Sequence, residues 1–313
     1  MGVALLASGA GLLLLPALSR PLGRQLPPHQ WARLCAIALG AGGAIVEVAA
    51  ALYAAPTVFR AAGIPAIAAL CERMLGTLVP GGAWAGWVAA AVATMMPALA
   101  GIGVRRARRT QHAVHAEPWL GEHADWHGLD LVVLPTAHPV AVSVPGDPAQ
   151  IIVSEGLLAS LEPSALEFVL RHEAAHLEHG HHRYLLLATA MDHALAFFPP
   201  ARASTRAMRA ALERWADEVA AGARPADRRT LRDALLDVTG AIVSPALAAF
   251  STSDTVVERV DALDRDVPRP GLATRAALYT PGLALGGVAI VALGTWAANA
   301  QMIVAMAGQC ATT

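Results

Sequence analysis

His172, Glu173 and His176 form the pattern H-E-x-x-H within Arg171–His182, a run of Arg-His-Glu-Ala-Ala-His-Leu-Glu-His-Gly-His-His. Positions i and i+4 of a helix share a face, so both imidazoles can reach one Zn²⁺ ion. Glu173 follows the first histidine directly, where a carboxylate can take the proton of an attacking water. Five residues alone are a weak signal, since a surface helix with two histidines also matches. A third donor strengthens it. Glu213 and Asp217 lie four apart in Ala-Leu-Glu-Arg-Trp-Ala-Asp-Glu, residues 211–218. A carboxylate from Glu213 would complete a His₂Glu set and leave one position open. Asp217 would then hold the far nitrogen of a ligand histidine and fix its tautomer.

These residues need two helices. Pro163–Leu187 reads as the first, with Leu166, Val169, Leu170, Ala174 and Leu177 as its apolar stripe. Residues 201–223 read as the second. Before them, Leu129–Leu134, Val140–Val144 and Gln150–Val153 read as strands separated by proline and glycine, giving a small antiparallel sheet. The edge strand Val140, Ala141, Val142, Ser143 and Val144 is expected to receive an extended substrate by strand addition. Tyr184–Phe198 reads as a buried helix or a piece dipping into a membrane surface. Thr230–Ala249 and Thr255–Leu263 read as amphipathic helices, the latter with Val256, Val260 and Leu263 on one face.

Of the 313 residues, 55% are hydrophobic, too many for an ordinary soluble domain. Four runs carry the excess: Val3–Leu18, Trp31–Phe59, Ala83–Val104 and Ala276–Gly308. The last three reach the ~20 residues that cross a bilayer core, and the first is marginal. Only Arg33 and Glu47 are charged in the second run, and an ionisable group inside a span is either functional or tolerated in an overlong, tilted segment. Arg105-Arg106-Ala107-Arg108-Arg109 abuts the third run and marks its cytoplasmic end. The expected order is an outer N-terminus, three spans within residues 1–104, a cytoplasmic domain over 105–275, and a fourth span within 276–313. Trp31, Trp84 and Trp87 are expected at the interfaces. The expected architecture is therefore a membrane α-helical bundle of about four transmembrane helices with an inserted cytoplasmic α+β zincin-like metalloprotease domain.

The net charge of −1 gives no support to nucleic-acid binding, and the arginine cluster fits a topology anchor better. All 23 Lys+Arg positions are arginine, which together with heavy alanine use is the composition of a GC-rich bacterial genome. Cys35, Cys71 and Cys310 are odd in number and scattered, so no disulfide framework is expected.

Ile151-Ile152-Val153-Ser154-Glu155-Gly156-Leu157-Leu158, followed by Pro163 through Tyr184, resembles the integral-membrane zinc metallopeptidases of the BlaR/MecR type. The strand leading through "GLL" to H-E-x-x-H is shared with the HtpX and CAAX-protease group. Glu213-Arg214-Trp215-Ala216-Asp217 is similar to their E-x-x-A/C-D pattern, and Phe197-Phe198-Pro199-Pro200 resembles an F-N-P element of the BlaR/MecR type. The resemblance covers roughly residues 95–265. It implies His172, His176 and Glu213 as zinc ligands, Glu173 as general base, and a cytoplasmic transcriptional repressor as substrate in a signalling pathway. The sequence stops soon after the fourth apolar run, so the extracellular penicillin-binding sensor domain of that type is not expected, and any signal would come from a sensor partner protein, the short outer loop or the membrane itself. The bacterial cytoplasmic membrane is the expected location, with the protease domain on its cytoplasmic side. A quality-control or processing protease of the HtpX kind shares the same site, and a non-enzymatic scaffold with a relic zinc site is the third alternative. His182, Arg183 and His193 are candidates for stabilising the oxyanion. His179, His181 and His182 are a helix end favoured by the helix dipole, or less readily a second metal site.

Overall fold

The structure is a computed structural model, which describes residues 2–75, 82–116, 121–222, 228, 229, 232, 259–263 and 271–310. Its helices are α1 (Gly2–Leu18), α2 (Arg20–Gly23), α3 (Pro28–Ala61), α4 (Pro65–Leu75), α5 (Gly82–Ala116), α6 (Glu155–Ser160), α7 (Pro163–Glu178), α8 (His181–Ala194), α9 (Ala201–Ala221) and α10 (Leu272–Cys310). Its strands are β1 (Glu122–Trp126), β2 (Leu129–Leu134), β3 (Ala141–Val144) and β4 (Gln150–Ser154).

Among the described residues, three helices are long and apolar enough to cross a membrane: Pro28–Ala61, Trp84–Gln111 and Leu272–Gly294. The apolar helix Val3–Leu18 is shorter, so among the described residues three of the four apolar runs satisfy the length requirement. α3 has 34 residues and is about 51 Å long, well beyond the ~30 Å hydrocarbon core. Trp31 is buried among Leu26, Ala32 and Leu39, so it is a core residue and not the interfacial aromatic expected. Trp84 and Trp87 are exposed, as interfacial aromatics are. The carboxylate oxygen Oε2 of Glu47 is buried in α3 without a hydrogen-bond partner among the described residues. α5 continues unbroken past Val104, carrying the arginine cluster on helix.

α1 packs against α3 and α10, α3 against α5 and α9, and α5 against α8. The largest core joins Leu13 of α1, Trp31, Cys35 and Leu39 of α3, and Met96 of α5 to Ala188 and Ala194 of α8 and Met208, Leu212 and Trp215 of α9. The α8–α9 hairpin thus shares one continuous core with the apolar bundle. Tyr184–Phe198 belongs mostly to α8, where Met191 lies against Gly43 of α3.

The sheet has the order β1-β2-β4-β3. β1 and β3 pair antiparallel with their neighbours, but β2 and β4 run parallel, so the sheet is mixed and not purely antiparallel. α6 and α7 follow β4, and their apolar faces meet the sheet through Ile151, Val153, Leu157 and Leu170. β1 was not expected because Glu-His-Ala-Asp-Trp has no apolar alternation and is largely exposed. Its hairpin turns at His127 and Gly128, both with positive φ. β3 is an edge strand, with β4 on one side only.

The single helix expected over Pro163–Leu187 is two helices. α7 ends at Glu178, Gly180 adopts φ +64, and α8 starts at His181. A left-handed residue costs little only for glycine, so Gly180 fixes the corner. The expected helix Thr230–Ala249 lies outside the described residues apart from Arg232. Of Thr255–Leu263, residues 259–263 are described and helical, and Val256 lies outside.

Candidate metal centre

α7 crosses α9 so that His172, His176 and Glu213 each offer a ligand atom, all within 4.8 Å of one another. The two Nε2 atoms are 3.1 Å apart. Glu213 places Oε2 at 3.5 Å from His172 Nε2 and Oε1 at 3.8 Å from His176 Nε2. Two imidazole nitrogens and a carboxylate oxygen are a donor set that suits zinc. Glu213 is 37% exposed, so the cluster opens to solvent on the α9 side.

The far ring nitrogens are engaged as well. His172 Nδ1 is 3.0 Å from Asp217 Oδ1. His176 Nδ1 lies 2.9 Å from Nδ1 of His181, the first residue of α8 and fully buried. These contacts orient both rings with Nε2 toward Glu213. Trp215 backs the arrangement: His179 stacks on it at 4.9 Å, and His181 tilts against it at 4.7 Å. From the other side, His29 and Arg33 of α3 reach the same indole, with the guanidinium 5.6 Å from its centre. The site is thus braced directly on a long apolar helix. His179 and His181 thus pack on Trp215, and His181 also meets the His176 ring.

Arg259 was not singled out in the sequence. Its guanidinium donates to both carboxylate oxygens of Asp217, at 2.8 and 2.7 Å, and lies 3.4 Å from Glu213 Oε2. Arg228 locks that segment in place by donating to the carbonyls of Ala262 and Leu263 while pairing with Glu218 of α9. Leu263 packs with Phe168, Ala220 and Ala221. No periodicity or local motif links Arg259 to a helix 42 positions earlier.

The charges agree with a cation site. Burial works against charge on His172, but contacts with Asp217 and Glu213 outweigh it and raise the ring to about 10. Burial and the neighbouring His172 lower His176. Burial, followed by the neighbouring histidines, lowers His181 to about 3, so it is neutral. Burial would raise Glu213 and Asp217, yet His172 and Arg259 hold both down, Asp217 to about 2.

Glu173 lies on α7 beside the ligand pair, and its charge is felt by both His176 and Arg259. The three oxyanion candidates are not brought to the cluster in the same way. His182 and Arg183 start α8, near His181. His193 sits at the opposite end of that 14-residue helix, about 20 Å along the axis, where its Nδ1 bonds the Thr189 carbonyl. Among the described residues, no hydrogen bond or ion pair ties any of the three to the ligand atoms.

Long apolar helices, a small mixed sheet and a His-His-Glu cluster are together the parts that a membrane-associated metallopeptidase needs. A sequence model of peptidase family M48 matches residues 141–230, from β3 through α9. Peptidases of this family are generally zinc-dependent metalloproteases. The match supports a zincin-like metallopeptidase domain, while the BlaR/MecR resemblance rests on the sequence patterns alone. No curated protein and no solved structure matches the chain.

Proposed function

We propose that this chain is a membrane-embedded zinc endopeptidase in which His172, His176 and Glu213 hold the metal and Glu173 is the general base. The convergence of two Nε2 atoms and one carboxylate on a single point carries the reading. Zinc, when bound, supplies a Lewis acid that polarises a peptide carbonyl and acidifies water. Glu173 takes the proton of the attacking water and returns it to the leaving amine. Asp217 and His181 hold the two histidine rings, and Arg259 holds Asp217 and Glu213. β3 receives the substrate backbone as an added strand through Val140, Ala141, Val142, Ser143 and Val144. The proposed domains are a membrane region over 1–104, a cytoplasmic peptidase domain over 105–275 and a returning helix over 276–313.

The substrate is a cytoplasmic protein, and a transcriptional repressor is the specific proposal. A second reading, quality control or processing of membrane proteins, is favoured by His29 and Arg33 of α3 lying against Trp215, which ties the site to a long apolar helix. Comparison of protein fragments in cells making the wild type or Glu173→Gln separates the two. One repressor fragment absent from the variant supports the first, and many membrane-protein fragments support the second. Identical fragment patterns alongside a distinct deletion phenotype would make the chain a scaffold.

A further inference from the structure

Outside the metal centre, a cavity of about 440 Å³ opens between α5, α8 and α9, lined by Leu99, His193, Thr205, Arg202, Arg206 and Arg209, among others. The three arginines follow one stripe of α9, at i, i+4 and i+7. Asp192 on α8 is their only carboxylate in the lining, and it is already engaged. It accepts from Thr205 Oγ1 at 2.6 Å and from Arg209 Nη1 at 2.7 Å. Arg202 and Arg206 are exposed and have no carboxylate partner among the described residues. Like charges on one helical face repel, so an anion between them would stabilise this stripe.

The depth of the cavity identifies the anion. Leu99 lies about 9 Å along α5 from Arg105, where the uncharged run gives way to the arginine cluster. α8 meets α5 at this level: a Cβ on Gly103 would be 2.7 Å from His193 Nδ1. On α3 the same helix meets Gly43 through Met191, in the apolar stretch beyond Arg33. Phe197, in the loop just before α9 and next in sequence to Ala196 of the cavity lining, is 56% exposed. Basic side chains above an outward apolar ring are how proteins meet the headgroup–acyl boundary.

We propose that this cavity binds the phosphate headgroup of an anionic phospholipid, with Arg202 and Arg206 on the phosphate, Arg209 and Thr205 fixed by Asp192 as the floor, and Phe197 among the acyl chains. The inference rests on α5 crossing the bilayer and is independent of the metal. The same α9 carries Glu213 and Asp217 two to three turns later, so the bound lipid seats the helix that completes the metal centre.

The test uses the full chain, purified and delipidated in neutral detergent, and titrated with phosphatidylglycerol or phosphatidylcholine while bound lipid is counted by native mass spectrometry. The wild type is expected to prefer phosphatidylglycerol, and Arg202→Gln/Arg206→Gln to weaken that binding ~30-fold, a factor of about five for each charge. Arg202→Lys/Arg206→Lys, which keeps the charges, retains most of it. Should the glutamine pair not fold, Arg206→Gln alone carries the test, with an expected loss of about fivefold. Equal binding of the two lipids by the wild type, or unchanged phosphatidylglycerol binding in the glutamine variants, would overturn the proposal. So would inorganic phosphate displacing the lipid at micromolar concentration, because the cavity would then be a site for free phosphate.

Discussion

Arg259 shows how much of the centre depends on a residue outside its motif. Asp217 is nearly fully buried, and a guanidinium that grips both oxygens is the main group offsetting its charge, beside His172. Arg259→Met removes that cation and leaves the carboxylate on His172. The expected cost is about 3–5 kcal/mol of stability, with zinc affinity reduced about 10–100-fold. Chemical denaturation and chelator competition measure the two, and wild-type values in both would remove Arg259 from the account. The metal-free protein should also respond to pH. His172 stands at about 10 against an ordinary 6.5, so its contribution to stability is complete below pH 6.5 and is lost as pH rises through 10. Asp217, at about 2 against 3.8, contributes above 3.8 and loses that contribution as pH falls through 2. Chelator-treated protein should therefore unfold at a lower temperature at pH 10 than at pH 6.5. A flat or rising midpoint would contradict the His172–Asp217 contact. The residues within H-E-x-x-H and the downstream Glu-x-x-x-Asp were legible because helical spacing alone puts them on shared faces. Arg259 and His181 were not, since their roles arise from tertiary approach.

At the scale of elements, the corner at Gly180 matters most. The apolar stripe ends at Leu177 and apolar residues resume at Tyr184, so the sequence reads as one helix across His179–His182 where the chain makes two. The break sends α8 back toward α3 and brings His181 beneath His176. Gly180→Ala must adopt φ +64 with a side chain, at a cost of about 1 kcal/mol. A thermal midpoint equal to the wild type's would show that the corner is not strained by a Cβ. The strands β2 and β4 were legible as apolar runs between prolines, yet their parallel pairing was not. Adjacent short strands favour antiparallel hairpins, but β3 leaves β2 and takes the outer edge, so β4 fills the gap between them.

For the whole molecule, apolar length and arginine placement gave the long spans directly. They could not show that the peptidase helices share a core with those spans, because Met208, Leu212 and Trp215 are equally at home in a soluble bundle. That shared core has a consequence. Residues 105–275 expressed without the apolar helices lose Leu13, Trp31, Cys35, Leu39 and Met96 from the packing around α8 and α9. The isolated segment should aggregate or unfold with little helical cooperativity by circular dichroism. A monomeric, cooperatively folding segment that retains one metal would contradict the shared core. The proposed topology puts the Arg105–Arg109 end of α5 in the cytoplasm, and reporter fusions after residue 110 should read cytoplasmic. A periplasmic reading there would reverse the orientation.

The central claim is that one zinc ion is held by His172, His176 and Glu213. Elemental mass spectrometry of the detergent-purified, zinc-supplemented protein, beside Glu213→Ala and Glu173→Gln, tests it most directly. The account predicts about one zinc per chain in the wild type and in Glu173→Gln, and its loss from Glu213→Ala. Zinc retained in full by Glu213→Ala, or absent from a folded wild type, would contradict it.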